Sequence, residues 1–175
     1  MRASALACLA FLACPAAAQW SGWDYDHDRP KEEFKELEVK LPAFPRDEDL
    51  VEFDVSAASR DRFFIDEKAL TIGTNGVVLY TLVIKTSGGA TNVSYEGMRC
   101  DLRETKMYAT GRGNSTWLNV RDPQWRPIKP PSILDPRHVL HRNYLCGGLS
   151  SNVPAASVED MLQRIRYGPR QPMID

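Results

Sequence analysis

Glu96 is the carboxylate best placed for chemistry in this 175-residue chain, set between Tyr95 and Gly97 in a strand-like block. As a general acid it would need a buried pocket to raise its pKa and a second carboxylate across a substrate. Its structural alternative is an ion pair with an arginine such as Arg99 or Arg112. His138 and His141 stand three apart on a predicted helix, a spacing that would put two imidazoles on one face for a metal. Arg137 and Arg142 flank them with positive charge that opposes a cation, so they read as solvated side chains and no metal is assigned. Asp24, Asp26, His27 and Asp28 form another cluster, read as a solvated acidic segment. The chain lacks GxSxG, HExxH, SxxK, P-loop and GxGxxG signatures, and no cofactor is expected. Nucleophilic triads recur on unrelated folds in any order, so these absences do not dispose of every enzyme.

A different chemistry is suggested by Arg112, Arg121, Arg126 and Lys129, which interleave with Trp117 and Trp125. Arginine supplies planar donors and tryptophan a large apolar area, the combination that marks binding surfaces. Residues 19–68 carry 15 acidic and 8 basic residues, whereas residues 99–146 carry 9 basic and 4 acidic. One reading of this asymmetry is an acidic arm folded over a basic half. The sharper one is a patch at Arg112, Trp117, Arg121, Trp125 and Arg126 for anionic envelope material or another envelope protein. The net charge of −1 excludes a globally basic nucleic-acid binder.

Strands must position these residues. Leu50, Val51, Phe53 and Val55 alternate, Phe63-Phe64-Ile65 is a short apolar run, and Ala69 to Ile72 ends at Gly73. Thr74-Asn75-Gly76 signals a tight turn into the longest strand candidate, Val77 to Thr86. Ser87-Gly88-Gly89 turns the chain into Thr91 to Cys100, where Val93, Tyr95 and Gly97 share a face. Lys106 to Thr110 and Thr116 to Val120 follow across a glycine-rich turn. Short turns leave no room for crossover helices, so the sheet is expected to be an antiparallel meander. Five prolines between 121 and 136 make a loop. Asp135-Pro136 then caps a short helix towards Tyr144, and Ser157 opens another. In the second, Val158, Met161, Leu162 and Ile165 make one apolar face that Gly168-Pro169 ends.

The N-terminus reads as an export signal. Met1-Arg2 is followed by an apolar stretch from Ala3 to Cys14, and Ala16-Ala17-Ala18 is a cleavage site that leaves 157 residues beginning at Gln19. Phe11-Leu12-Ala13-Cys14 resembles a distorted lipobox, so lipidation at Cys14 is the minor alternative. The remaining cysteines, Cys100 and Cys146, are an even number in an oxidising compartment and read as one disulfide. A metal site or catalytic thiol competes poorly, because there is no CxxC and no suitably spaced histidine.

Residues Leu70-Thr71-Ile72-Gly73, Val77 through Ile84 and Gly89 through Cys100 carry a resemblance. Tyr108, Gly111-Arg112, Trp117, Trp125 and Tyr144-Leu145-Cys146 continue it, over about residues 40–146. The chain resembles the family of exported Gram-negative proteins named after a cryptic neisserial protein. Met98 and Leu145 stand where that pattern has Ile and Phe, swaps that keep apolar bulk. The resemblance implies a bacterial envelope protein and no particular activity.

The expectation is therefore an α+β chain, a predominantly antiparallel meander with one or two short C-terminal helices. Residues 1–18 are the signal peptide, 19–49 a polar acidic arm and 50–170 a single β-rich domain. A periplasmic module that binds or scaffolds without catalysing is the first functional reading. A hydrolase of envelope glycan or peptide, with Glu96 as its acid, is the second. No transmembrane segment and no nucleic acid are expected.

Overall fold

In the computed structural model, which describes residues 34–129, 135–147 and 152–168, eight strands form one sheet. The predicted leader, Trp20, Trp23 and the cluster from Asp24 to Asp28 lie outside the described residues. Strands β1 (Leu50–Phe53), β2 (Arg62–Asp66), β4 (Val78–Lys85), β5 (Thr91–Arg99), β6 (Glu104–Gly111) and β7 (Trp117–Asn119) lie side by side in that order. Every pairing is antiparallel. Two-residue strands finish the ladder: β3 (Thr71–Ile72) pairs with β4, and β8 (Arg126–Pro127) pairs with β6. The meander is thus as the turn chemistry predicts, except that the proline-rich loop contributes β8.

Local rules account for the corners. At the β3–β4 turn Gly73 N–H bonds Val77 O at 2.8 Å and Asn75 Oδ1 accepts from Val77 N–H. Gly76 takes the positive φ of 77° that a side chain would resist. Asp135 Oδ1 accepts from Arg137 N–H at 3.0 Å, and Pro136 starts helix α1 (Pro136–Val139). The helix then widens into a π-helical turn over Leu140–Leu145. Ser157 Oγ accepts from Asp160 N–H at 3.1 Å and caps helix α2 (Val158–Tyr167).

Strand alternation sorts side chains onto two faces. Cross-strand partners Val78↔Met98, Tyr80↔Glu96 and Leu82↔Ser94 share the face that receives the helices. There Phe53, Ile65, Val78, Leu82 and Met98 pack with Leu140, Leu145, Met161 and Ile165 in one core. Burying each such side chain contributes about 1.5–3 kcal/mol. A disulfide between Cys100, at the end of β5, and Cys146, at the end of the π-helical turn, ties sheet to helix with Cα atoms 5.7 Å apart. The opposite face presents Thr81, Val83, Tyr95 and Gly97, and the extended segment 34–46 lies across it. Phe34 meets Trp125 edge-on, Phe44 packs on Trp117, and Glu36 pairs with Lys106 at 2.6 Å. Gly97 allows this layer its close approach: a Cβ there would stand 3.0 Å from the Tyr108 ring and 3.3 Å from that of Trp125.

Candidate functional site

Glu96 faces the helices from the middle of β5 and is 1% exposed. A buried carboxylate needs partners for about four lone-pair positions, and here four donors meet it. Arg137, from the first turn of α1, donates from Nε to Oε2 at 2.7 Å and from Nη2 to Oε1 at 2.5 Å. Ser94 Oγ donates to Oε1 at 2.5 Å, and Tyr80 Oη donates to Oε2 at 3.1 Å. Burial, and then the adjacent Glu96 charge, push the Tyr80 phenol well above its ordinary pKa. Burial by itself would lower the pKa of Arg137, but the hydrogen bonds and charge of Glu96 more than offset it and hold the guanidinium above its usual range.

The arginine that serves Glu96 is neither Arg99 nor Arg112. Arg99 pairs at 3.5 Å with Glu104 and stacks 4.0 Å from the Phe34 ring centroid. Arg112 is exposed in the β6–β7 turn. Arg137 escaped the sequence reading because it lies 41 positions from Glu96. The one signal pointing to it is its place just after the Asp135-Pro136 cap, where a helix end could aim it at the sheet.

An open groove of about 760 Å³ lies against this pair. Glu96 and Arg137 form part of its lining, β6 adds Thr105 and Met107, and the segment 120–129 adds Arg121, Arg126, Ile128 and Lys129. Among the described residues, Arg121, Arg126 and Lys129 make no hydrogen bond or ion pair through their side chains. Asp122 and Asp135 also line the groove, but Asp122 accepts from Gln124 Nε2 at 2.6 Å and Asp135 caps α1. The groove lining therefore carries four cations, Arg121, Arg126, Lys129 and Arg137, against three carboxylates, Glu96, Asp122 and Asp135, a small positive excess.

Of the five residues expected to form one patch, Arg121 and Arg126 reach this groove and the other three stand elsewhere. Arg112 does not line it. Trp117 and Trp125 turn to the opposite face, where Trp117 Nε1 donates to Pro42 O at 2.9 Å and Trp125 packs against Phe34. The arm meets the basic half of the chain through Glu36 on Lys106, while its Asp47 pairs with Lys85, outside that half, at 2.8 Å.

His138 and His141 are buried rather than solvated, at 8% and 6% exposure. His141 Nε2 lies 3.1 Å from Cys100 O. Among the described residues, no group of three or more His, Cys, Asp or Glu side chains stands ready to hold a metal. Burial is the main cause that lowers the pKa of His141, with Arg103 and His138 adding to it against the Cys100 carbonyl. Folding thus opposes protonation of this imidazole, and stability is lost as pH falls below its unfolded value of about 6.5. Denaturant midpoints should decline as pH falls below about 6.5, and His141→Gln should flatten that decline. An identical pH slope in the variant would remove His141 from the account.

An antiparallel sheet with helices on one face, an arm on the other and an arginine-lined groove at their edge is the architecture that holds this site. The chain belongs to the CNP1-like family, which it matches over residues 29–166. It is 26% identical over 159 residues to Cryptic neisserial protein 1 of Neisseria gonorrhoeae, covering 78% of this chain and 76% of that protein. No solved structure matches it. Among the described residues, no helix is long and apolar enough to cross a membrane.

Proposed function

We propose that this protein is an exported, periplasmic, non-catalytic binding module, and that its groove takes an anionic component of the cell envelope. The observation that carries this reading is the convergence on one groove, beside Arg137, of Arg121, Arg126 and Lys129, whose side chains make no hydrogen bond or ion pair among the described residues. Export is supported by the leader pattern, Met1 to Ala18, and by a disulfide of the kind that persists in oxidising compartments. Binding rather than acid catalysis is favoured by the saturation of Glu96, whose lone pairs all receive internal donors. A general acid must instead hold a proton that it can hand to a substrate.

The test compares charge reversals of equal size inside and outside the groove. Purified protein is sedimented with isolated bacterial envelope at about 20 mM and about 300 mM salt, since surface electrostatics fade as the Debye length shrinks. Arg126→Glu should weaken retention at low salt by about tenfold, corresponding to roughly 1.4 kcal/mol. Arg112→Glu, which changes the same charge in the β6–β7 turn, should leave it nearly unchanged. Equal loss in both variants would reduce the groove to a bystander of overall charge.

A further inference from the structure

Resting on that reading, we propose that the groove anchors a phosphate monoester, and that Arg137 is its central contact. Glu96 occupies one edge of the Arg137 guanidinium, through Nε and one Nη2 proton. A guanidinium has five N–H donors in a rigid plane, so three remain, among them the end-on fork of Nη1 and Nη2. Arg137 lines the groove, its side chain is 29% exposed, and Nη1 is not among the buried polar atoms that lack a partner. Among the described residues no partner takes this fork, which leaves it available to a ligand in the groove that Arg137 lines. Its plane is held by a carboxylate that is itself buried and fixed by Tyr80 and Ser94. Such preorganisation reduces the ordering cost of binding.

The number of donors in the lining selects the anion: Glu96 is taken up by Arg137, and Arg121, Arg126 and Lys129 stand beside the two remaining carboxylates, Asp122 and Asp135. A carboxylate brings one charge and two oxygens, which the Arg137 fork satisfies by itself. A phosphate monoester brings a charge of about −1.5 to −2 and three acceptor oxygens, so it calls on further donors. Arg121, Arg126 and Lys129 are those donors, in the same groove and without competing partners among the described residues. Val120, Pro123, Pro127 and Ile128 add apolar lining that can hold the group carrying the phosphate. A volume near 760 Å³ leaves room for a sugar or a lipid headgroup beside it.

The experiment titrates the full mature chain by calorimetry with glucose 1-phosphate, with glucuronate as the carboxylate of similar size, and with vesicles of phosphatidic acid or phosphatidylcholine. Saturable, salt-sensitive binding of glucose 1-phosphate, at least about tenfold tighter than glucuronate, supports a phosphate on a sugar. Binding to phosphatidic acid vesicles but not to phosphatidylcholine or glucose 1-phosphate supports a phosphate on a lipid. Arg137→Lys keeps a cation beside Glu96 but lacks the fork, and should weaken phosphate binding by roughly 10–100-fold. Should that variant fail to fold, Arg121→Glu/Arg126→Glu, on exposed side chains, carries the same test with an expected loss of at least about tenfold. No binding of either phosphate probe, equal binding of glucuronate, or unchanged affinity in the variants overturns the proposal. Envelope retention that still depends on Arg126 while both phosphate probes fail would overturn this inference alone and leave the anionic-binding function standing.

Discussion

Arg137→Ala is expected to destabilise the fold by about 3–5 kcal/mol, a large share of the ~5–15 kcal/mol available to a domain of this size. Glu96 is 1% exposed, and the substitution removes both of its charge-assisted bonds while leaving Tyr80 and Ser94 as neutral donors. A carboxylate without its cation is far costlier to bury than the intact pair. The damage should therefore come from the anion left behind rather than from the lost arginine contacts. Converting both members, as Glu96→Met/Arg137→Met, should recover much of the loss, because apolar replacement of a whole buried pair is often neutral. Urea denaturation with unchanged m-values reads this directly. If the single variant costs under about 1 kcal/mol, water reaches Glu96 and the pair is a surface interaction.

Removing the disulfide should have the second largest effect. Cys100 and Cys146 are 46 positions apart, both buried, and their bond joins the end of β5 to the π-helical turn whose side chains Leu140 and Leu145 fill the core. In the chain-entropy model, closing a loop of this length contributes roughly 4 kcal/mol, and loss of a native disulfide from a small exported domain typically costs about 2–5 kcal/mol. Cys100→Ala/Cys146→Ala should lower the melting temperature by roughly 5–20 °C. Thermal melts of the oxidised protein and the variant test this. A shift within about 2 °C would mean that core packing alone holds the helices to the sheet.

The two changes act on the same junction by different physics. Arg137 fixes the start of the helical segment to β5 through charge, and Cys146 fixes its end to the same strand through a covalent bond. The groove is lined from this junction, so positions that hold the fold also aim the Arg137 fork. Groove variants on exposed side chains, Arg121 and Arg126, should by contrast leave stability within about 0.5 kcal/mol.

Most of the scaffold could be read from the residues because its rules are short-ranged. The Asn75-Gly76 turn, the Asp135-Pro136 cap and the Ser157 cap each depend on atoms two to four positions apart. The apolar face of α2 follows from 3.6-residue periodicity, and Met161, Leu162 and Ile165 are buried as that period requires. The disulfide followed from counting, since Cys100 and Cys146 are the two cysteines outside the predicted leader and leave one pairing. The functional surface was legible only in part. Types and charges said that Arg121, Arg126 and two tryptophans could form a binding surface, but which face each would reach depends on how 120–129 crosses the sheet edge. That crossing sends Trp125 under the arm with Phe34 and leaves Arg126 in the groove, although the two are neighbours in the chain. Glu96 was visible as a carboxylate in the middle of a strand, with an arginine partner as its structural alternative. Nine basic residues between 99 and 146 could have answered. Choosing Arg137 required the packing of α1 against β5, because an ion pair across 41 positions is set by distance in space and leaves no period in the sequence.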